Sequence, residues 1–280
     1  MHAIAAFRQH MQLARRAGLA LAATLAMSMP ANAVDLAQHF ARHVAQSTAT
    51  VDHSAWDRLL SRYLKADPAG LNRVDYRAFK AEAQSELRGY LAALQRVAVA
   101  ELSRPEQFAY WVNLYNAQTV DIVLAHYPVA SIREINISGL FATGPWGRKV
   151  VKVEGIELSL DDIEHKILRP LWRDPRIHYA VNCASVGCPN LARNAYTGAK
   201  LEAMLDSAAR NYVNSPRGIS VQNGSATLSR IYSWYVEDFG GREAGVLEHL
   251  RRYAAPELAG RLRSVGRIGY DYDWRLNGVE

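Results

Sequence analysis

Asp174-Pro175-Arg176-Ile177-His178-Tyr179-Ala180-Val181-Asn182-Cys183-Ala184-Ser185-Val186-Gly187-Cys188-Pro189 holds both cysteines of the chain. It runs from an apolar, strand-like segment into a turn marked by Gly187 and Pro189. Read as a strand, it delivers polar groups to its C-terminal end, where mixed α and β folds commonly place their chemistry. Alternation predicts Ile177, Tyr179, Val181 and Cys183 on one face and His178, Ala180 and Asn182 on the other. On a regular strand His178 and Cys183 would lie on opposite faces, about 16 Å apart at roughly 3.3 Å per residue. The base for a thiol at the strand end is therefore expected from another segment. Only a loop that folds back would bring Cys188 to His178.

Outward from this stretch the pattern is mostly helical. Trp56, Leu59, Leu60, Tyr63 and Leu64 recur at helical spacing, and Asp67-Pro68-Ala69-Gly70 ends that pattern. Residues 77–99 form another helix around Leu87, Tyr90, Leu91 and Leu94. The longest helix opens at Ser103-Arg104-Pro105-Glu106 and stops before Pro128. It is apolar around most of its circumference, which predicts burial. Asn113 and Asn116 project from it, so each amide ties down a neighbouring loop or orients a ligand. Ser159-Leu160-Asp161-Asp162 resembles a capping box. It opens a helix whose core face includes Glu164, with His165 at its edge. The nearby Arg169, Arg173 and Arg176 are candidate partners for that carboxylate. Hairpins are expected over 149–158 and around Asn223-Gly224. A helix is expected over 197–214 and an aromatic helix over 229–239, with Tyr232, Trp234, Tyr235 and Phe239 mainly as core. Another helix covers 244–253, and an edge strand 268–274. These elements predict an α+β fold, a single domain over 34–280 with helices packed around a small, mostly antiparallel sheet.

The chain has 280 residues, 49% hydrophobic and 21% charged, an ordinary balance for a globular protein. Residues 1–33 differ. They carry Arg8, Arg15 and Arg16 but no acid, then an apolar run from Ala17 to Met27, then Pro30 and Ala31-Asn32-Ala33. This order reads as a signal peptide cleaved after Ala33, placing the protein in the periplasm or outside the cell. The apolar run is shorter than the ~20 residues of a spanning helix. Loss of the three arginines lowers the formal charge from +6 to +3, too little to argue for nucleic acid. No later segment could span a membrane. In an oxidising compartment a nearby cysteine pair tends to form a disulfide.

Several strings also match a known family. They are Tyr110-Trp111-Val112-Asn113-Leu114-Tyr115-Asn116-Ala117, Ser159-Leu160-Asp161-Asp162-Ile163-Glu164-His165, Asp174-Pro175-Arg176-Ile177-His178, Asn182-Cys183-Ala184-Ser185 through Cys188-Pro189, and Tyr272-Asp273-Trp274-Arg275-Leu276-Asn277. Together, over about 56–277, they resemble the domain of unknown function 547 family, with the leader of an exported bacterial member. The resemblance carries no established reaction. It singles out Asn113, Asn116, Glu164, His165, Arg169, Arg176, His178, Cys183 and Cys188, which are expected to converge on one cleft.

Three chemistries fit those residues. In one, the cleft binds a small molecule or a peptide, and a Cys183–Cys188 disulfide pins the loop. A Cys-x-x-x-x-Cys turn can bring two α-carbons within the ~4.4–6.8 Å that a bridge needs. In the second, a thiol-dependent hydrolase or acyl transferase uses Cys183 as nucleophile and His165 as base, with Glu164 or an asparagine orienting them; Cys188 with His178 is the variant. Whatever the chemistry, Asn113, Asn116, Arg169, Arg176, His178, Ser185 and Cys188 are the candidate binding residues of the cleft. In the third, Glu164, His165, His178 and a thiol hold a metal, although adjacent helical residues point ~100° apart. The pattern implies no organic cofactor.

Overall fold

The computed structural model describes residues 34–140 and 142–279; the leader at 1–33 lies outside them. Helices α1 (Leu36–Phe40) and α2 (Ser54–Tyr63) lead into a short hairpin, β1 (Leu64–Ala66) with β2 (Asn72–Val74). Next come α3 (Tyr76–Leu94) and α4 (Arg104–His126), then the antiparallel pair β3 (Val151–Val153) and β4 (Ile156–Leu158). A π-helical stretch, Asp162–Leu168, runs straight into α5 (Arg169–Trp172), followed by the one-turn α6 (Ile177–Ala180) and by α7 (Leu201–Val213). The last part holds β5 (Ile219–Gln222), β6 (Ser225–Ser229), α8 (Ile231–Trp234), α9 (Glu243–Tyr253), α10 (Pro256–Arg261) and β7 (Arg267–Asp271). The fold is α+β, with small sheets of two or three mostly antiparallel strands rather than one sheet. From Asp35 onward the chain forms one compact unit.

Helix α4 is the axis. Eighteen of its residues are buried, from Glu106 to Leu124, so almost every side chain must find an apolar or hydrogen-bonding neighbour. Pro105 suits the first turn, where an amide proton would have no helical partner. A second apolar cluster gathers Tyr179, Tyr212, Tyr232 and Phe239 with the β5–β6 hairpin. In that hairpin Asn223 and Gly224 take positive φ values of 49° and 72°, the backbone that a two-residue turn between twisted strands requires. β7 lies at the sheet edge as expected, but it pairs with β6 in parallel.

The opening stretch is not a strand. Residues 177–180 make a helical turn, and the chain becomes extended only at Val181. Asp174-Pro175 drives this. The Asp174 carboxylate accepts from the Arg176 amide at 2.8 Å, and Ile177 N–H donates to the Asp174 carbonyl at 3.1 Å. Aspartate before proline is a helix-start signal, and it outweighs the alternation of a short apolar run. The inference that His178 and Cys183 face apart therefore fails, and both line one cavity. Among the described residues, no helix is long and apolar enough to cross a membrane.

Candidate functional site

The loop after α6 is held from both sides. From α4, the Asn116 amide donates to the Ala180 carbonyl at 2.9 Å and accepts from the Asn182 N–H at 2.8 Å. Asn182 in turn donates to the Pro189 carbonyl at 2.7 Å and accepts from the Ala184 N–H at 2.9 Å. From the other side comes the C-terminal segment. Val186 and Gly187 donate to the carbonyls of Arg275 and Asp273, both at 2.8 Å. The carbonyls of 186–188 are capped as well, by Arg217 at Val186 and Cys188 and by Tyr212 at Gly187. Gly187 is required by proximity rather than by turn type. A β-carbon there would stand 2.8 Å from the Asp273 nitrogen, a contact no side chain tolerates. The turn closed by Cys188 N–H to Ser185 carbonyl (3.1 Å) carries Cys188 back, so that the Cys183 N–H donates to the Cys188 sulfur at 3.0 Å.

Both cysteines are thiols in this structure, so the expected disulfide is not formed. Cys183 is half-buried, and its sulfur lies 3.0 Å from the Tyr272 hydroxyl and 3.2 Å from the Ser185 hydroxyl. The Cys188 thiol hydrogen-bonds it too. This bond is the largest influence and lowers the Cys183 pKa. Burial opposes it, and Ser185 and Tyr272 reinforce it, leaving the group at about 7. Cys188 goes the other way. Burial raises it first, and the neighbouring Cys183 sulfur raises it further.

Above the thiols opens a cavity of about 380 Å³. Tyr115, Trp146, Trp234, Tyr235, Tyr272 and Trp274 form its walls, and Asp161, Glu164, His165 and His178 its polar side. The volume is that of a small-molecule site. Trp234, expected in the core, is 44% exposed and packs at a tilt against Tyr272 and Trp274 in the cavity wall. Tyr232 and Phe239 are core, as expected.

The polar side is organised by His178. Its Nε2 lies 2.7 Å from Asp238, and its Nδ1 lies 3.6 Å from Glu164. Its ring stacks on Tyr235 at 3.9 Å. Burial works against the imidazolium, but the bonds to Asp238 and Glu164 outweigh it and raise the His178 pKa. Burial likewise works against the Glu164 carboxylate; His178, His165 and Tyr235 overcome it, and its pKa falls. Asp238 also receives a forked pair from Arg169, at 2.6 and 3.1 Å. The partner expected for Glu164 was an arginine, but the structure gives it an imidazole. The π-helical turn widens the backbone here, with Arg169 N–H donating to the Glu164 carbonyl. Such wide turns recur at functional sites. His165 touches Asp161 at 3.7 Å, Glu164 at 4.0 Å and Arg169 at 3.4 Å.

Glu164, His165, His178, Cys183 and Cys188 thus meet at one cavity, with Ser185 bonded behind it. Asn113 and Asn116 do not reach it. Asn113 donates to the Tyr196 carbonyl and accepts from the Tyr196 N–H, so both amides are ties. Arg169 acts through Asp238, while Arg176 is spent on Asp174, Glu202 and Asp206. Among the described residues neither His165 nor His178 hydrogen-bonds a cysteine sulfur. None of their His, Cys, Asp and Glu side chains converge in threes as a metal ligand set. Both His178 nitrogens face carboxylates, Asp238 at 2.7 Å and Glu164 at 3.6 Å. Sequence reasoning missed Asp238, Tyr235 and Tyr272 as site residues, and Arg217 and Tyr212 as supports of the loop.

No curated protein and no solved structure matches the chain. A family model described as "Protein of unknown function, DUF547" matches residues 99–213. That span is narrower than the expected 56–277. It runs from just before α4 to the end of α7 and includes both cysteines, Glu164, His165 and His178, but neither Asp238 nor Tyr272. The buried helix, the capped wide turn and the two-thiol loop all fall inside the matched span, and over that span the chain is similar to the DUF547 family.

Proposed function

We propose that the cavity binds a small organic ligand and presents Cys183 to it as the reactive thiol. The observation that carries this reading is the position of the Cys183 sulfur. Cys183 lines an aromatic-walled cavity, and its sulfur is bonded to Cys188, Ser185 and Tyr272, which favour its thiolate. A thiolate is the nucleophilic form of cysteine, and partial exposure gives it access to a reactant. His165 and His178 line the same cavity beside Glu164. In this reading they orient a bound group rather than take the thiol proton. The leader-like residues 1–33 support work outside the cytoplasm, in the periplasm or beyond.

The test is alkylation of the reduced, native protein with iodoacetamide, followed by peptide mass mapping. Cys183 is expected to label at least ten times faster than Cys188, and Cys188 to label only on unfolding. Equal or reversed rates would overturn the proposal. Trp146, Trp234 and Trp274 ring the cavity, so labelling of Cys183 should also change the intrinsic fluorescence. The Cys183→Ser variant should show neither effect.

A further inference from the structure

We infer that Cys183 and Cys188 form a working dithiol couple whose substrate is a low-molecular-weight disulfide, reduced in the cavity by thiol–disulfide exchange. The inference rests on the reading of Cys183 as the reactive thiol and adds the substrate class and the second cysteine's role.

The geometry divides the labour. Both cysteines line the cavity, but Cys183 is half-buried while Cys188 is only 4% exposed. The turn from Ser185 to Cys188 and the caps on carbonyls 186–188 hold the second sulfur against the first residue's backbone. In the first step the Cys183 thiolate attacks one sulfur of R–S–S–R′. A Cys183–S–R bond forms, the substrate S–S bond breaks, and R′–S⁻ leaves to take a proton. In the second step Cys188, as thiolate, attacks the Cys183 sulfur. The Cys183–Cys188 bond forms, and R–S⁻ leaves to take the proton that Cys188 gives up. Two cysteine sulfurs lose two electrons, and the substrate disulfide gains them as two thiols.

The order of steps is built into the electrostatics. Before reaction, burial keeps the Cys188 proton on, and the Cys183 sulfur beside it adds to that effect. Once Cys183 is in a mixed disulfide, its negative charge is gone, and that part of the restraint goes with it. The Cys183 N–H, already 3.0 Å from the Cys188 sulfur, remains to stabilise the new thiolate. Attack at Cys183 thus activates the thiol that completes the exchange. The cavity's volume admits a small disulfide or part of one.

Oxidised glutathione is a suitable probe, with intact-mass measurement on wild type, Cys188→Ser and Cys183→Ser. The expected wild-type product is two hydrogens lighter and free of adduct. Cys188→Ser should stop at one glutathione on Cys183, and Cys183→Ser should carry none on Cys188 within the same time. A wild type that keeps a stable glutathione adduct would overturn the role of Cys188. A wild type that stays reduced while Cys183 still alkylates rapidly would overturn the exchange and leave the reactive-thiol reading standing. Slow alkylation of Cys183 would remove both.

Discussion

Replacing Asp238 with alanine is expected to cost about 3–5 kcal/mol of stability, the range for breaking a buried ion pair from one side. Asp238 is the common acceptor for the Arg169 fork and for His178. Without it the His178 imidazolium, its side chain 2% exposed, keeps only Glu164 at 3.6 Å. The cluster also sets a pH window. The folded His178 pKa lies above its unfolded value of about 6.5. Its contribution is therefore complete below that value and is lost as pH rises through the folded pKa. Asp238 and Glu164 are lowered, Asp238 because His178 and Arg169 overcome the opposing effect of burial. Their contributions are present above the unfolded carboxylate range, about 4, and are lost as pH falls through the folded pKa values. Wild type should be most stable between roughly pH 4.5 and 6.5 and should lose stability above that window. Thermal melts across pH 4–9 check this. Asp238→Ala should lower the melting temperature most inside the window and flatten its alkaline slope. A variant that melts as wild type does would show that the cluster is solvated.

Asn116→Leu is the second large effect, at about 2–6 kcal/mol. Leucine fills a similar volume but leaves the Ala180 carbonyl and the Asn182 N–H unpaired. Each buried orphan costs about 1–3 kcal/mol. Both belong to the segment that carries Cys183, so the loss should also reach the thiol. Urea unfolding gives the first quantity, and the rate of Cys183 alkylation gives the second. A loss below 1 kcal/mol would mean that the loop is held chiefly by the C-terminal segment and Arg217.

Much of this architecture was legible in the residues. The periodicity around Leu87, Tyr90, Leu91 and Leu94 sits on α3, and Asn223-Gly224 marks the turn it predicts. The capping box at Ser159 and Asp162 forms, with the Asp162 carboxylate accepting from the Ser159 N–H and the Ser159 hydroxyl accepting from the Asp162 N–H. Residues 177–180 misled because four apolar-leaning residues suit a helical turn as well as a strand. The deciding signal, Asp174-Pro175, lay just upstream. Pattern alone did not disclose the wide turn at Asp162–Leu168, where Glu164 meets His178 and the adjoining Arg169 meets Asp238, partners supplied by other segments. Asp238 was masked in the same way, its carboxylate sitting among Trp234, Tyr235 and Phe239, which read as core. Tyr272 looked like an edge-strand residue, and only the close passage of the C-terminal segment past Gly187 brings its hydroxyl to Cys183. The cysteines, Glu164, His165 and His178 were identifiable as residue types whose chemistry needs company. Their company was a matter of folding.

The account turns on whether Cys183 is held as a ready thiolate by Cys188, Ser185 and Tyr272. The direct measurement is the pH dependence of Cys183 alkylation in the reduced native protein, followed by mass mapping from pH 5 to 10. The account predicts a midpoint at about 7. A midpoint at or above the ordinary cysteine value of about 8.5 would contradict it.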